Sequence, residues 1–515
     1  MRKDRFYAMV SVLLMTIGLV SCSQSSDYRS VIPAEPVMVV KANVDNLLAE
    51  SELLQDNQIT GLIKNDINEM PENSRELLRK ILADPANSGL DLKQPAYVVI
   101  DNIEQTRGFA LFAVKDKEKV TELLNAMEIE DLSMEEKSEY SLLKTGNANI
   151  VAFDETKLVA AFSQGACDVT EYMSADTEAK KSKSLAEFME CDDDVAYYMA
   201  FKDVLRLAEG TNPEAFSMLD TEKAKDAKLV MSLNFEAGKA VLDTRLEDAD
   251  ELLEISRNYM SSPNSGLQVF IPKTCYGFMQ FGIKDLGSNI EKSIPEAQRA
   301  EFDEYMAMAN KEAKKMGIKE ELTLSLLNSL DGGMIFGIAE KDNSSPLPIP
   351  QMILVAECKD NSLFNLIAKS LESNRIATKT DGNTYSLMGL YTLGFADGKL
   401  FVMPQNLSAQ CYKDGTMKSL AENLTDNDMA QMVGEENGMI IDTKATAKGL
   451  EDMGAARRAK DRAILELMNK FTYAGYSVKE DCKVEYTVYF EDSATNSLKQ
   501  IKDMAVNAAI GNAAK

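Results

Sequence analysis

The chain has 515 residues, 45% of them hydrophobic, and a formal net charge of −26. It is long enough for more than one core, and so acidic that nucleic-acid binding is excluded, because a phosphate backbone is held through clustered Lys and Arg. Histidine and tryptophan are both absent, which removes Ser-His-Asp and Cys-His catalysis, the HExxH zinc site and a histidine pH switch.

At the N-terminus, Arg2, Lys3 and Arg5 precede a weakly polar to apolar run, Ala8–Val20. That run falls short of the roughly 20 apolar residues of a spanning helix. A positive start followed by a short apolar core predicts an export signal. Leu19-Val20-Ser21-Cys22 is similar to a bacterial lipobox, where the chain is cut before the cysteine and the thiol is acylated. This predicts a signal peptide over 1–21, lipidation of Cys22 and a polar tether over 22–31. Several acyl chains on one residue anchor stably where a single chain binds marginally. Without residues 1–21 the net charge becomes −28, which argues against broad adhesion to anionic headgroups.

Beyond the tether the chain reads twice. IPAEPVMVVKANVDNL (32–47) lines up with IPKTCYGFMQFGIKDL (271–286), and each predicts a strand running into an Asp-containing helix start. LFAVKDKEKVTELL (111–124) matches LVAECKDNSLFNLI (354–367), a strand passing through Lys-Asp into a helix. Val120, Leu123, Leu124 and Met127 share one face of the first such helix, as Leu363, Leu366, Ile367 and Leu371 do in the second. Asp116 and Asp360 are placed to cap them. AFDETKLVAAF (152–162) matches GFADGKLFVMP (394–404), two strands about a tight turn, and KSLAE occurs at 183–187 and 418–422. NFEAGKAVLDTRLED (234–248) parallels KEDCKVEYTVYFED (479–492). The segments keep one order at offsets of roughly 235–244 residues, a period that means duplicated domains rather than a solenoid. The expected organisation is a first repeat over 32–262 and a second over 263–515, divided near SSPNSG (261–266). Strand pairs joined by hairpins, with helices between them, predict an α+β fold: two homologous domains, each a mainly antiparallel sheet with packed helices.

Several motifs resemble chemical sites and are better read as structure. SLLKTG (141–146) holds both SxxK and KTG, yet penicillin-recognising enzymes place these far apart, and here Lys144 would have to serve both. GFADGK (394–399) is one residue short of a phosphate loop and has Leu400 where Ser or Thr is required; Asp-Gly predicts a hairpin turn. CDDDVA (191–196) lacks the spacing of a calcium loop and is expected to be a solvated loop. Met306, Met308 and Met316 have the helical spacing of core filler. Asp492-Ser493-Ala494 matches a short O-glycosylation pattern. Cys167, Cys191, Cys275, Cys358, Cys411 and Cys482 allow 15 full pairings. They lie far apart with no CxxC, which favours buried free thiols, Cys167–Cys191 being the most plausible single bridge.

The lipobox, the Ile-Pro strand opening and the strand-helix-hairpin order together resemble a family of Bacteroidota-type envelope lipoproteins of unknown function. The resemblance implies an outer-membrane lipoprotein with a repeated α+β body. SQSSD after Cys22 has one acidic residue, Asp27, which favours the periplasmic face over surface display. No nucleophile–base pair, metal set or cofactor loop is nominated, and no catalytic residue. The expected function is a non-enzymatic binding or scaffold module with an envelope protein partner, using a groove between the domains. The alternative is a small-ligand or glycan-capturing lipoprotein of an uptake system, which predicts an aromatic-lined cleft.

Overall fold

Runs of β-branched and aromatic residues such as VMVVKA and KVEYTVYF pack well on a pleated surface, and they supply the strands of two sheets. The computed structural model describes residues 28–513 apart from 104–105, 127–131, 147, 164–167, 174–180, 204, 206–225, 251–252, 255–256, 258–259, 295, 316–320, 342–349 and 480–481. Cys22, the signal segment, Cys167, Met127 and Met316 therefore lie outside the described residues. The chain forms two units: of the described residues, the first holds 28–205, 226–248 and 492–513, and the second holds 249–491.

In the first unit the strands are β1 (Met38–Ala42), β2 (Ala96–Asn102), β3 (Arg107–Ala113), β4 (Leu132–Glu136), β5 (Ser141–Thr145), β6 (Ala148–Phe153), β7 (Lys157–Phe162), β8 (Val195–Ala200), β9 (Lys228–Glu236) and β10 (Lys239–Glu247). They form one antiparallel sheet in the order β4-β5-β6-β7-β3-β2-β1-β8-β9-β10. Helices α1 (Val44–Ser51), α2 (Asn57–Asn68) and α3 (Glu72–Ala83) fill the β1–β2 connection. Helices α4 (Lys117–Ala126), α5 (Thr170–Met173) and α6 (Lys183–Glu190) follow β3 and β7, and α14 (Ser497–Ala513) returns from the C-terminus.

The second unit opens with β11 (Met260–Ser261) and continues through β12 (Cys275–Ile283), β13 (Leu330–Ala339), β14 (Gln351–Cys358), β15 (Ala377–Lys379), β16 (Thr384–Leu387), β17 (Tyr391–Ala396) and β18 (Lys399–Pro404). After a small ribbon of β19 (Tyr412–Lys413) and β20 (Thr416–Met417) come β21 (Asn437–Asp442), β22 (Phe471–Val478) and β23 (Val484–Phe490). Their antiparallel order is β15-β16-β17-β18-β14-β13-β12-β21-β22-β23. Taken in chain order, the two sheets match strand for strand. The helices are α7 (Leu286–Ser293), α8 (Arg299–Lys315), α9 (Ser362–Ser373), α10 (Gln405–Cys411), α11 (Asp428–Val433), α12 (Thr443–Asp452) and α13 (Ala459–Met468). The class is α+β.

Each unit has two apolar clusters. In the first, Val39, Val99, Phe109 and Phe188 centre one, and Val120, Leu123, Leu124 and Phe153 centre the other. The second unit repeats this with Ile335, Val355 and Phe401, and with Phe364, Ala368 and Tyr385. The α9 face differs from the periodic reading: Phe364 and Ala368 are its buried centre, while Leu363, Ile367 and Leu371 flank it half-buried. Residues 28–31, expected as the end of the tether, are a 3-10 turn whose Tyr28 and Val31 are buried. Burying an aromatic and a β-branched side chain removes enough apolar surface from water to order this segment.

A polar centre lies beneath each sheet. Lys41 on β1 is 2% exposed, and its ammonium donates to the Met189 carbonyl at 3.2 Å, to the Cys191 carbonyl and, at 3.6 Å, to the Cys191 thiol. Arg29 and the Tyr97 hydroxyl also donate to the Met189 carbonyl, at 3.3 and 3.4 Å. These carbonyls close the C-terminal end of α6, where unpaired acceptors and the helix dipole favour cations. In the second unit Gln280 takes the place of Lys41 and Gln268 that of Arg29, both at an offset of 239. Both amides donate to the Gly434 carbonyl beyond α11, at 2.9 and 3.3 Å, and Gln280 also donates to the Glu436 carbonyl at 2.9 Å. The first unit solves its helix end with two cations; the second uses two amides bonded to each other at 2.7 Å.

Candidate functional site

The decoy motifs resolve into structure. Ser141 is fully buried and its hydroxyl donates to both Glu136 carboxylate oxygens, at 2.8 and 2.9 Å, while Lys144 pairs with Glu135. Residues three apart on a strand face opposite sides, so Ser141 and Lys144 form no dyad. Asp397 and Gly398 both have positive φ, 49° and 68°, making the β17–β18 connection the hairpin that Asp-Gly predicts. Asp116 accepts from the Lys119 amide, as expected of a cap, whereas Asp360 accepts from the Ser362 amide from one position before the N-cap of α9, Asn361.

The acidic loop is less solvated than expected. Asp194 is 5% exposed and accepts from the Phe235 amide at 2.7 Å and the Asn46 side chain at 3.3 Å, and Asp193 accepts from Asn234 at 2.9 Å. Nearby, burial and then the Asp194 carboxylate push Glu50 up to about 7. Among the described residues no three His, Cys, Asp or Glu side chains group as metal ligands. Cys191, Cys275, Cys358, Cys411 and Cys482 are free thiols. Burial pushes Cys275 up to about 12 and Cys411 to about 11, so neither presents a thiolate for nucleophilic work.

The concave feature of interest lies wholly within the second unit, a groove of about 740 Å³ along α8. Helical spacing puts Phe302, Met306 and Asn310 of α8 on one wall; Leu322 and Leu324 form the other, with Lys311 and Lys314 toward one end. Asn310 joins the walls: its side-chain oxygen accepts from the Leu322 amide at 2.6 Å, and its amide donates to the Leu322 carbonyl at 2.9 Å. At the other end Arg299 donates to the Glu291 carbonyl at 3.1 Å. Gly287 lets α7 approach closely, since a Cβ there would stand 1.8 Å from the Leu324 carbonyl oxygen. The α8 methionines are not core filler: Met308 is 56% exposed and Met306 half-buried. Sequence reasoning missed the groove because its far wall is a short irregular stretch running into the 3-10 helix Leu324–Ser329, which is too short to show a period.

Exposure is unevenly shared. Among the described residues, every exposed large apolar side chain except Ile501 of α14 belongs to the second unit, including Tyr305 and Met308 on α8, Met352 and Met388, and Ile464 and Leu467 on α13. No described helix is long and apolar enough to cross a membrane.

The fold and this surface define a two-unit antiparallel α+β protein with a closed first unit and an apolar-studded second one. The chain belongs to the family described as Domain of unknown function (DUF4836), whose model matches residues 28–498. No curated protein matches it. Among solved structures it is similar to crystal form IV of TP0453, at 12% identity over 46% of this chain and 86% of that one, with a TM-score of 0.28. Crystal form III of TP0453 gives 12% identity, 47% and 90% coverage and a TM-score of 0.27. Scores this low carry no argument about fold or function.

Proposed function

We propose that the protein is a non-enzymatic, lipid-anchored binding or scaffold protein of the cell envelope, held through Cys22 at the outer membrane on its periplasmic face, with the second unit as its recognition module. The two units read as copies of one ancestral domain, of which the first serves as the tethered base. The observation that carries this reading is the concentration of exposed apolar side chains in the second unit. Tyr305 and Met308, close together on α8, are its centre, because Met-rich surfaces repack against varied partners. In-cell photo-crosslinking from Met308 tests it, with Cys22→Ser as the untethered control. A discrete protein adduct, lost in the control, is expected. A hydrolytic activity abolished by one Ser or carboxylate substitution would overturn the non-enzymatic reading.

The groove favours a second reading, capture of a small ligand for uptake. Its lining includes a single aromatic, Phe302, whereas sugar capture calls for several stacking platforms. A thermal-shift screen of glycans, lipids and peptides, repeated on Phe302→Ala, separates the two readings. Stabilisation by one ligand class, lost in the variant, would favour capture over scaffolding.

A further inference from the structure

The turn that joins α12 to α13 carries a run of cations, bounded by the exposed acids Glu451, Asp452 and Glu466. Within a protein of net charge −26, residues 453–462 (MGAARRAKDR) carry Arg457, Arg458, Lys460 and Arg462 against Asp461 alone. Arg458 is tied to Asp461 at 3.0 Å, closing the N-terminus of α13. Arg457 and Lys460 are exposed, with no acidic partner among the described residues, and Arg462 donates only to the Ala456 carbonyl, at 3.3 Å.

The apolar residues are arranged the wrong way round for a helix that only needs its own core. Asp461, Leu465 and Met468 share the inward stripe, and of these only Leu465 is buried. The stripe through Lys460, Ile464 and Leu467, spaced i, i+4, i+7, faces outward, and Ile464 and Leu467 are 49% and 50% exposed. Met453, at the turn between the helices, is 40% exposed. The turn itself is firmly built: the Gly454 amide donates to Glu451 and the Ala455 amide to Leu450, with Gly454 at φ 80°. On the other side α12 is seated tightly, since a Cβ on Gly449 would meet the Tyr276 ring at 2.6 Å.

A rigid, cationic hairpin that presents a few aliphatic side chains offers too little apolar area for a stable protein interface, which needs about 800 Å² per partner. Its exposed apolar groups are aliphatic, without the aromatic faces on which nucleobases stack. Aliphatic side chains beneath a ring of Arg and Lys are what an interfacial helix brings to a bilayer: the chains enter at the headgroup level and the cations meet lipid phosphates. We propose that the α12–α13 hairpin docks on an anionic phospholipid surface. Met453, Ile464 and Leu467 enter the interface, and Arg457 and Lys460 contact the headgroup phosphates. This contact is separate from acylation of Cys22, and it qualifies the composition argument, because a local patch outweighs the average charge at distances within a Debye length.

The test is flotation of the chain from residue 22 onward carrying Cys22→Ser, so that neither acyl chains nor the apolar leader contribute. Vesicles of phosphatidylcholine alone are compared with vesicles containing roughly one-third phosphatidylglycerol. Binding to the anionic vesicles is expected, with a loss of about tenfold or more on phosphatidylcholine or in about 0.5 M NaCl. Arg457→Glu/Lys460→Glu and Ile464→Asp/Leu467→Asp should each lower binding to a similar degree. The charge-reversed residues are exposed, so folding is retained, as circular dichroism would verify. Lys80→Glu/Lys183→Glu, the same charge change placed in the first unit, should bind as the parent does. Absence of binding to anionic vesicles, or equal losses from the patch and control variants, overturns the proposal.

Discussion

Lys41→Met tests the paired polar centres directly. Methionine keeps most of the lysine stem and deletes the ammonium, so apolar packing is nearly preserved and the change reads the polar contacts. The Met189 carbonyl retains Arg29 and Tyr97 as donors, which leaves the Cys191 carbonyl as the acceptor that loses its partner. A bond from a charged donor contributes about 1.5–3 kcal/mol, and an orphaned buried acceptor costs about 1–3 kcal/mol. Release from burying an ammonium offsets part of that loss. The expected net cost is about 2–3 kcal/mol, a fall of roughly 5–10 °C in the Tm of a unit this size. Lys41→Gln should recover about half, because Gln280 performs the same task in the second unit. Two units need not unfold together, so the readout is native-state hydrogen exchange over 38–42 and 183–200, alongside urea denaturation. Lys41→Met within about 0.5 kcal/mol of the parent, or Lys41→Gln costing as much as Lys41→Met, would refute the reasoning.

Other consequences can be checked with single variants. Glu50 titrates near 7 in the folded chain against an ordinary value of 4.5. Between those pH values the native state therefore holds the extra proton, and stability falls as pH rises through that window. Glu50→Gln removes the titration: its Tm should match the parent near pH 4.5 and exceed it near pH 8, and parallel Tm–pH curves would contradict this. Asn310→Ala breaks both bonds to Leu322 and should speed hydrogen exchange at 321–324, costing about 1–2 kcal/mol locally while exchange in the first unit stays unchanged. Cys275 and Cys411 should resist iodoacetamide at neutral pH until the chain is denatured, a difference that mass spectrometry reads per site; rapid native labelling of either would contradict their burial.

What was legible in the sequence follows from the range of each signal. Hairpins and caps are local, so Asp397-Gly398 and Asp116 announced their roles. The matched segments pointed to corresponding strands because a core face needs the same alternation in each unit. The identical KSLAE segments show where local reading ends. At 183–187 the segment opens α6, with Ser182 capping and Leu185 buried. At 418–422 it is irregular, and Leu420 donates its amide to the Val269 carbonyl of the 3-10 helix Ser265–Phe270. Tertiary partners decide between these states, since five residues carry too little propensity to do so. Lys41 and Gln280 stood aligned in the sequence, but their shared task was hidden because the acceptors lie about 150 residues downstream.

The sheet order also locates the two surfaces of the second unit. Its groove and its cationic hairpin occupy two connections, β12–β13 with α7 and α8, and β21–β22 with α12 and α13. Strands β12 and β21 are antiparallel neighbours, with Gly277 opposite Ile441 and Gln280 opposite Gly438. The chain therefore leaves β12 toward α7 at one end of the pair and leaves β21 toward α12 at the other. The contacts agree: α12 packs by Gly449 on Tyr276 at the start of β12, whereas Gly287 and Leu324 meet beyond its end. Function placed in connections over a fixed sheet leaves the core unchanged. Placing the two surfaces at opposite strand ends has a further consequence: a hairpin seated on lipid headgroups, as proposed above, would leave the α8 groove open, and the two proposed contacts would not compete for the same end of the unit.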